Sequence, residues 1–226
     1  LFFNESKVAG VGGNIIEMSK GNLAFHVKSR SLHVDSVMQV AQLGMGGLYK
    51  REAITKVGYF SNPFFYSYEE YDIGQELLQK GYKLLRIPEK MIVHYGDENP
   101  SIETLCRKTR SRYLFGAGQF LRRSISRMHS INAIIELRIY VATLIWLLTG
   151  IISISLVQWS DYLFRAYASS SLLFTTLLLI RKKDAGRAMF SIASWNFQAI
   201  CMLIGFFARN KDPIEFRPKV NLIQNG

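Results

Sequence analysis

The sequence predicts an α/β domain followed by an α-helical membrane region. Two observations carry this. In the first hundred positions apolar residues come in short runs broken by glycine, proline and acid, as strands and short helices require. Charge is also divided. Positions 1–100 hold 11 Lys/Arg and 11 Asp/Glu, whereas positions 101–226 hold 17 basic and 6 acidic residues, the whole of the +11. A basic excess confined to one half points to a partner for that half, either nucleic acid or an anionic membrane. Long uncharged apolar runs beside those charges favour the membrane and argue against nucleic acid, to which an apolar stripe would be useless. At 226 residues there is room for one large domain, or for a small domain plus a membrane part. Cys106 and Cys201 lack metal-ligand spacing and fit a reducing compartment. The start, LFFNESK, has no methionine and too short an apolar run for a signal peptide, so a fragment is expected.

Val8 to Asn14 (VAGVGGN) predicts a buried strand running into a turn. No helix of the right spacing follows Gly10, Gly12 and Gly13, which favours a tight turn over a phosphate loop. Residues 23–40 alternate in short stretches, as strands or an extended loop do, and His26 and His33 there read as surface or core histidines. Gly44 to Gly47 (GMGG) has two readings: a place where backbone approaches a ligand, with Gly46 and Gly47 as substrate-binding candidates, or a tight strand-to-helix turn. Lys50 to Val57 predicts a two-turn helix capped by Gly58, where a left-handed conformation is cheap only for glycine.

The stretch from Pro63 to His94 is the most informative. Aromatics at Phe64, Phe65, Tyr66 and Tyr68 precede acids at Glu69, Glu70 and Asp72. The acids begin a helix that runs to Lys80 and closes at Gly81, with Ile73 and Leu77 as an apolar i,i+4 pair. Carboxylates at a helix start gain roughly 0.3–1 kcal/mol each from the macrodipole, which accounts for them without any function. A functional role draws on two further points. Glu69 and Asp72 fall about 60° apart around a helix and can share a face. Like charges held close raise the pKa of one member, which is how a general base is tuned. Residues 83–95 predict two strands broken at Pro88, with His94 ending the second.

The segment GMGGLYKREAITKVGYFSNPFFYSYEEYDIGQELLQKGYKLLRIPEKMIVH resembles the second half of the catalytic domain of inverting family-two glycosyltransferases. The shared order is a glycine loop, a helix ending in V-G-x-F, an aromatic loop, acid-Asp-x-Asp, a helix ending in G-Y, strand, proline, strand and histidine. The resemblance covers roughly residues 5–115 and implies the C-terminal half of a GT-A fold. It implies that the second acid of the E-D-x-D motif is the general base. Glu70 takes that place, with Glu69 before it and Asp72 after it, although the family's usual aspartate has become glutamate. It implies a divalent metal, Mg²⁺ or Mn²⁺, with His94 near the metal and donor diphosphate, and Tyr68 on the substrate side. The family's D-x-D metal motif is absent from residues 1–62, so the resemblance implies a chain that lacks its donor-binding half.

Residues 101–130 predict one basic amphipathic helix at the membrane interface. Seven Lys/Arg between 104 and 130 flank an apolar series at Leu114, Ala117, Leu121, Ile125 and Met128. Arg110 and Arg112 are the candidates for meeting a donor diphosphate or lipid phosphate. Membrane helices follow over 139–157 and 162–180, joined by a loop without Lys/Arg and flanked by basic residues, which predicts a hairpin with cytosolic ends. Residues 188–208, with Asn196 and Gln198 inside, read as a third crossing or as an interfacial helix, and 211–226 as a tail.

These expectations combine into a multi-pass enzyme of the plasma membrane, facing the cytoplasm. It would move a sugar, with inversion, from a nucleotide-sugar donor to a lipid-linked or cell-surface glycan acceptor. No Q-x-x-R-W motif follows the acids, which favours single-sugar transfer over polymerisation. The rival is a non-catalytic membrane scaffold that keeps a degenerate transferase half. A hydrolase is served poorly, because its paired carboxyls must flank a sugar from opposite sides.

Overall fold

Val8–Glu17 forms β1, longer than expected, with Gly12 and Gly13 inside the strand. The reason lies on β4 (Lys83–His94), which runs parallel beside it and pairs Gly10 with Leu84 and Gly12 with Arg86. A Cβ placed on Gly13 would fall 2.5 Å from the Glu89 carbonyl oxygen, so glycine there admits a neighbouring backbone instead of making a turn. β4 also corrects the expected break at Pro88. Proline has no N–H for the ladder, and the register slips between Gly12 and Asn14 and again between Asn14 and Ile15. The fully buried Asn14 bridges the irregularity. Its Nδ2 donates to the carbonyls of Pro88 (2.9 Å) and Val34 (3.0 Å), and its Oδ1 accepts from the Val34 N–H (2.8 Å).

The computed structural model describes residues 5–17, 34–94, 101–127, 130–159, 161–208 and 211–215. It divides into two units, one of residues 1–20, 27–98 and 209–226, the other of 21–26 and 99–208. In the first unit β2 (Met38–Val40) and β3 (Leu48–Tyr49) add antiparallel edges, giving the order β2-β4-β1-β3. α1 (Arg51–Val57) ends as expected at a left-handed Gly58, φ 95°. α2 (Glu69–Gln79) follows the aromatic loop. One core joins Ala9 of β1, Leu84 of β4, Leu43, Ala53 and Val57 of α1, and the anticipated pair Ile73 and Leu77 of α2. The described part of the tail, 211–215, belongs to this unit instead of standing apart: Lys211 Nζ lies 5.7 Å from the Phe64 ring centre.

The second unit is helical: α3 (Ile102–Arg110), a 3₁₀ turn at Tyr113–Phe115, α4 (Gly116–Ser126), α5 (Ser130–Glu136), α6 (Arg138–Ser155), α7 (Asp161–Lys182) and α8 (Ala185–Phe207). The single basic helix expected over 101–130 is thus two helices, broken at Ser111 and a left-handed Arg112, φ 61°. The break sets α4 against α8 at contact distance. A Cβ on Gly118 would overlap the Met202 carbonyl oxygen, and one on Gly205 would overlap that of Phe115.

α6, α7 and α8 cover the three anticipated spans, and each is long and apolar enough to cross a membrane. Only 11%, 6% and 33% of their apolar stretches are buried inside the protein. A water-soluble bundle would bury side chains such as Leu172 and Ile180, which are 70% and 67% exposed. Asn196 and Gln198 satisfy themselves within α8, Asn196 Nδ2 on the Ile192 carbonyl (2.7 Å) and Gln198 Nε2 on Ser194 Oγ (2.8 Å), which lowers their cost in lipid.

Candidate active site

The acids are presented by the first turn of α2, and the residue that starts it is strained. Tyr68 caps the helix at φ 70°, a left-handed conformation that costs a side-chain-bearing residue roughly 1–2 kcal/mol. Strain of this kind, held by its surroundings, is common where a chain must aim functional groups. The loop before it is folded by Asn62, 1% exposed, whose Oδ1 accepts from the Phe64 N–H (3.1 Å) and whose carbonyl accepts from the Phe65 N–H (3.1 Å). Phe65 points inward, whereas Phe60 and Tyr66 are 58% and 36% exposed. Of the expected aromatic wall, Phe65 is buried, Phe64 and Tyr68 are half-buried and Tyr66 is exposed.

The three acids have three environments. Asp72 is buried, and its Oδ2 accepts from the Tyr59 hydroxyl at 2.7 Å, which ties α2 to the segment after α1. Glu69 is half-buried and Glu70 is exposed. The protein around Glu70 still raises its carboxyl above the usual range, and the charge of Glu69 adds to that. Access to water screens both effects. The acids that act on each other here are Glu69 and Glu70. Asp72, expected to share a face with Glu69, turns inward instead.

Two groups that the sequence did not single out are linked to Glu70 by charge: Tyr49 feels its carboxylate, and Arg86 interacts with Tyr49. The Tyr49 hydroxyl is enclosed and has no hydrogen-bond partner among the described residues. Burial, and after it the negative charge of Glu70, push its pKa up to about 12 against the opposing cation Arg86. Arg86 is wholly buried on β4. Its Nη1 donates to the Gly13 carbonyl (3.4 Å) and its Nη2 to that of Leu43. Burial lowers its pKa, but a guanidinium remains a cation.

Gly46 and Gly47 have packing reasons. Gly46 is left-handed, φ 79°, and a Cβ there would overlap Ile92. A Cβ on Gly47 would fall 2.7 Å from Leu43 Cβ and 3.0 Å from Tyr49 Cε2, so the turn presses on Tyr49. This favours the tight-turn alternative at both. His94 ends β4 opposite Glu17, and its side chain lies outside the described residues, as do His26 and His33. Arg110 and Arg112 are exposed in the second unit, at and just after the end of α3.

Residues 7–207 match the sequence model of glycosyl transferase family group 2. The chain belongs to that family. No curated protein and no solved structure matches it. As a family group 2 glycosyl transferase it works with a nucleotide-sugar donor and an acceptor, and its three apolar helices fit contact with a membrane. Among the described residues no three His, Cys, Asp or Glu side chains gather as a metal site would need.

Tyr59, Tyr49 and Arg86 escaped sequence reasoning because their roles depend on partners 13 to 73 residues away. The one local hint was Tyr49 itself, an aromatic directly behind the glycine loop.

Proposed function

We propose that the chain is the acceptor side of a membrane-anchored, inverting glycosyl transferase that adds one sugar per encounter, with Glu70 as general base. The observation that supports this is the division of labour among the acids. Asp72 is committed to Tyr59 and Glu70 reaches solvent with its carboxyl lifted in the direction a base needs. Glu70 would accept the proton of an acceptor hydroxyl as that oxygen attacks the anomeric carbon, while the bond from that carbon to the nucleoside diphosphate breaks. Glu69 keeps the site negative and favours proton uptake by its neighbour. A divalent metal, suggested by the family resemblance, would neutralise the leaving diphosphate when bound. The acceptor is a lipid-linked or cell-surface glycan. The basic flanks of α6 and α7 and the loop between them, which has no Lys/Arg, support a cytosolic active site.

The test is sugar transfer from a nucleotide-sugar pool by the full-length protein in membranes. Glu70→Gln should lower the rate by roughly 10²–10⁴, and Glu69→Gln should lower it less. Asp72→Asn, which keeps an acceptor for Tyr59, should stay within about tenfold. Wild-type transfer by all three variants would remove the general base from Glu70 and return the chain to the scaffold alternative.

A further inference from the structure

The chain leaves the first unit after residue 98 and is back in it by residue 211. The return is packed. Pro213 is buried, Lys211 Nζ stands over the Phe64 ring, and a Cβ on Gly58 would fall 3.5 Å from the Ile214 side chain. One folded unit sits on one side of a bilayer, because its polar backbone and charges cannot be drawn through hydrocarbon. The segment between therefore crosses an even number of times. Among its described helices only α6, α7 and α8 are long and apolar enough to cross. Three is odd, so the three do not all cross.

Charge distinguishes them. Arg181, Lys182, Lys183 and Arg187 mark the junction of α7 and α8, Arg209 and Lys211 follow α8, and residues 156–160 between α6 and α7 have no Lys/Arg. With the transferase unit in the cytosol, crossing by α6 and α7 keeps all of these basic residues inside. Crossing by α8 with either of the others puts the α7–α8 junction outside, against the positive-inside rule.

A contact inside the helical unit agrees. The last carbonyls of a helix lack intrahelical partners. At the end of α8, those of Phe206 and Ala208 accept from Arg122 Nη1 of α4 (3.4 and 3.1 Å). α4 has 11 residues and carries Arg122 and Arg123, so it is too short and too charged to cross and stays with the basic residues that precede α6. The two ends of α8 thus belong to one side. Its outer face suits this placement. Met189, Phe197, Ile200, Ile204 and Phe207 are exposed, and at 100° per residue they fall within about 80°, one apolar stripe along the helix. Its middle reaches hydrocarbon. Trp195 meets Phe174, 6.5 Å between ring centres, eight residues from the basic end of α7. That is about 12 Å along the helix, less than the ~15 Å of one leaflet.

We propose that α8 does not cross but lies in the cytosolic leaflet with its stripe against the acyl chains there, so that α6 and α7 are the crossing pair and α8 brings the chain back to the transferase. The even count holds whichever side the transferase occupies. The choice of α8 rests on the cytosolic reading above, and neither rests on Glu70.

Single cysteines are placed in the full-length protein on a Cys106→Ser, Cys201→Ser background, and a membrane-impermeant maleimide is added to intact and then to permeabilised cells. Lys183→Cys and Ile214→Cys flank α8 at exposed positions and should both label only after permeabilisation. Trp159→Cys should label in intact cells. Lys183→Cys and Ile214→Cys on opposite sides would overturn the proposal, as would Trp159→Cys on the same side as both. Glu52→Cys, exposed on α1, reports the transferase unit itself: its labelling in intact cells would sink the cytosolic reading, and its labelling opposite to Ile214→Cys would sink the even count. In lipid nanodiscs a nitroxide attached at Ile200→Cys should be relaxed more by oxygen than by a water-soluble nickel chelate, as contact with acyl chains requires. The reverse order would put α8 in water and overturn its place in the leaflet.

Discussion

Glu70 carries a proton balance that can be measured. Its carboxyl is lifted first by burial and then by Glu69, so the rising limb of the pH–kcat/KM profile should lie above the ordinary Glu value of about 4.3. Glu69→Gln should move that limb down, because one of the two causes is gone. Folding raises this pKa, so the folded state holds the proton more tightly than the unfolded chain does. The sign follows: stability is greatest below the ordinary Glu range and falls as pH rises through the raised value. Glu70→Gln should therefore melt higher than wild type near about pH 8 and no higher near about pH 3, where both states are protonated. At Asp72 the sign of mutation is reversed. Tyr59→Phe removes one hydrogen-bond donor from the buried Asp72 and should cost about 1 kcal/mol in denaturant unfolding. The identity of the acids was legible because three carboxylates at a helix start form a local pattern. Which acid faces water was not legible, because Tyr59 lies before the aromatic loop and only the fold brings its hydroxyl to Asp72.

Elements were legible where their cause is local. α1 and its Gly58 cap, the Ile73/Leu77 stripe of α2 and the three apolar helices follow from spacing and composition. Leu77→Ala should cost about 2–5 kcal/mol, since the side chain has no exposure and the cavity cannot refill. The misread elements are those whose cause is distant. β1 continues through its glycines because β4 lies close beside it, and β4 continues through Pro88 because Asn14 carries the irregularity. The break at Arg112 has no proline or glycine to announce it. Its logic lies in Gly118 and Gly205, where α4 and α8 touch backbone to backbone. Gly118→Val should separate them and lower the melting temperature in detergent by several degrees, whereas Val at the exposed Ile125 should do little.

For the molecule as a whole the sequence showed two regions of different solvent, and the exposed apolar faces of α6 to α8 agree. Orientation is open to a direct measurement. In intact cells a Trp159→Cys variant on a Cys106→Ser, Cys201→Ser background should react with a membrane-impermeant maleimide added outside, and cysteine placed at Lys183 should not, because the positive-inside rule puts that end within. What the sequence could not show is that residues 211–215 return to the first unit, since Lys211 meets Phe64 across about two thirds of the chain.

The parallel pairing of Val8–Glu17 with Lys83–His94 also bears on synthesis. The centre of the sheet joins segments about 75 residues apart, with α1, α2 and every proposed catalytic acid inside the loop that this pairing closes. Contacts of such span form late and slowly. On a translating ribosome the acids emerge before the strand that anchors their platform, so α2 has no sheet to pack against until His94 has cleared the exit tunnel. By then the basic residues that precede the first apolar helix are next in line. The transferase unit should therefore close while the chain is being delivered to the bilayer, and slowing of translation just after residue 94 would favour its folding over its aggregation.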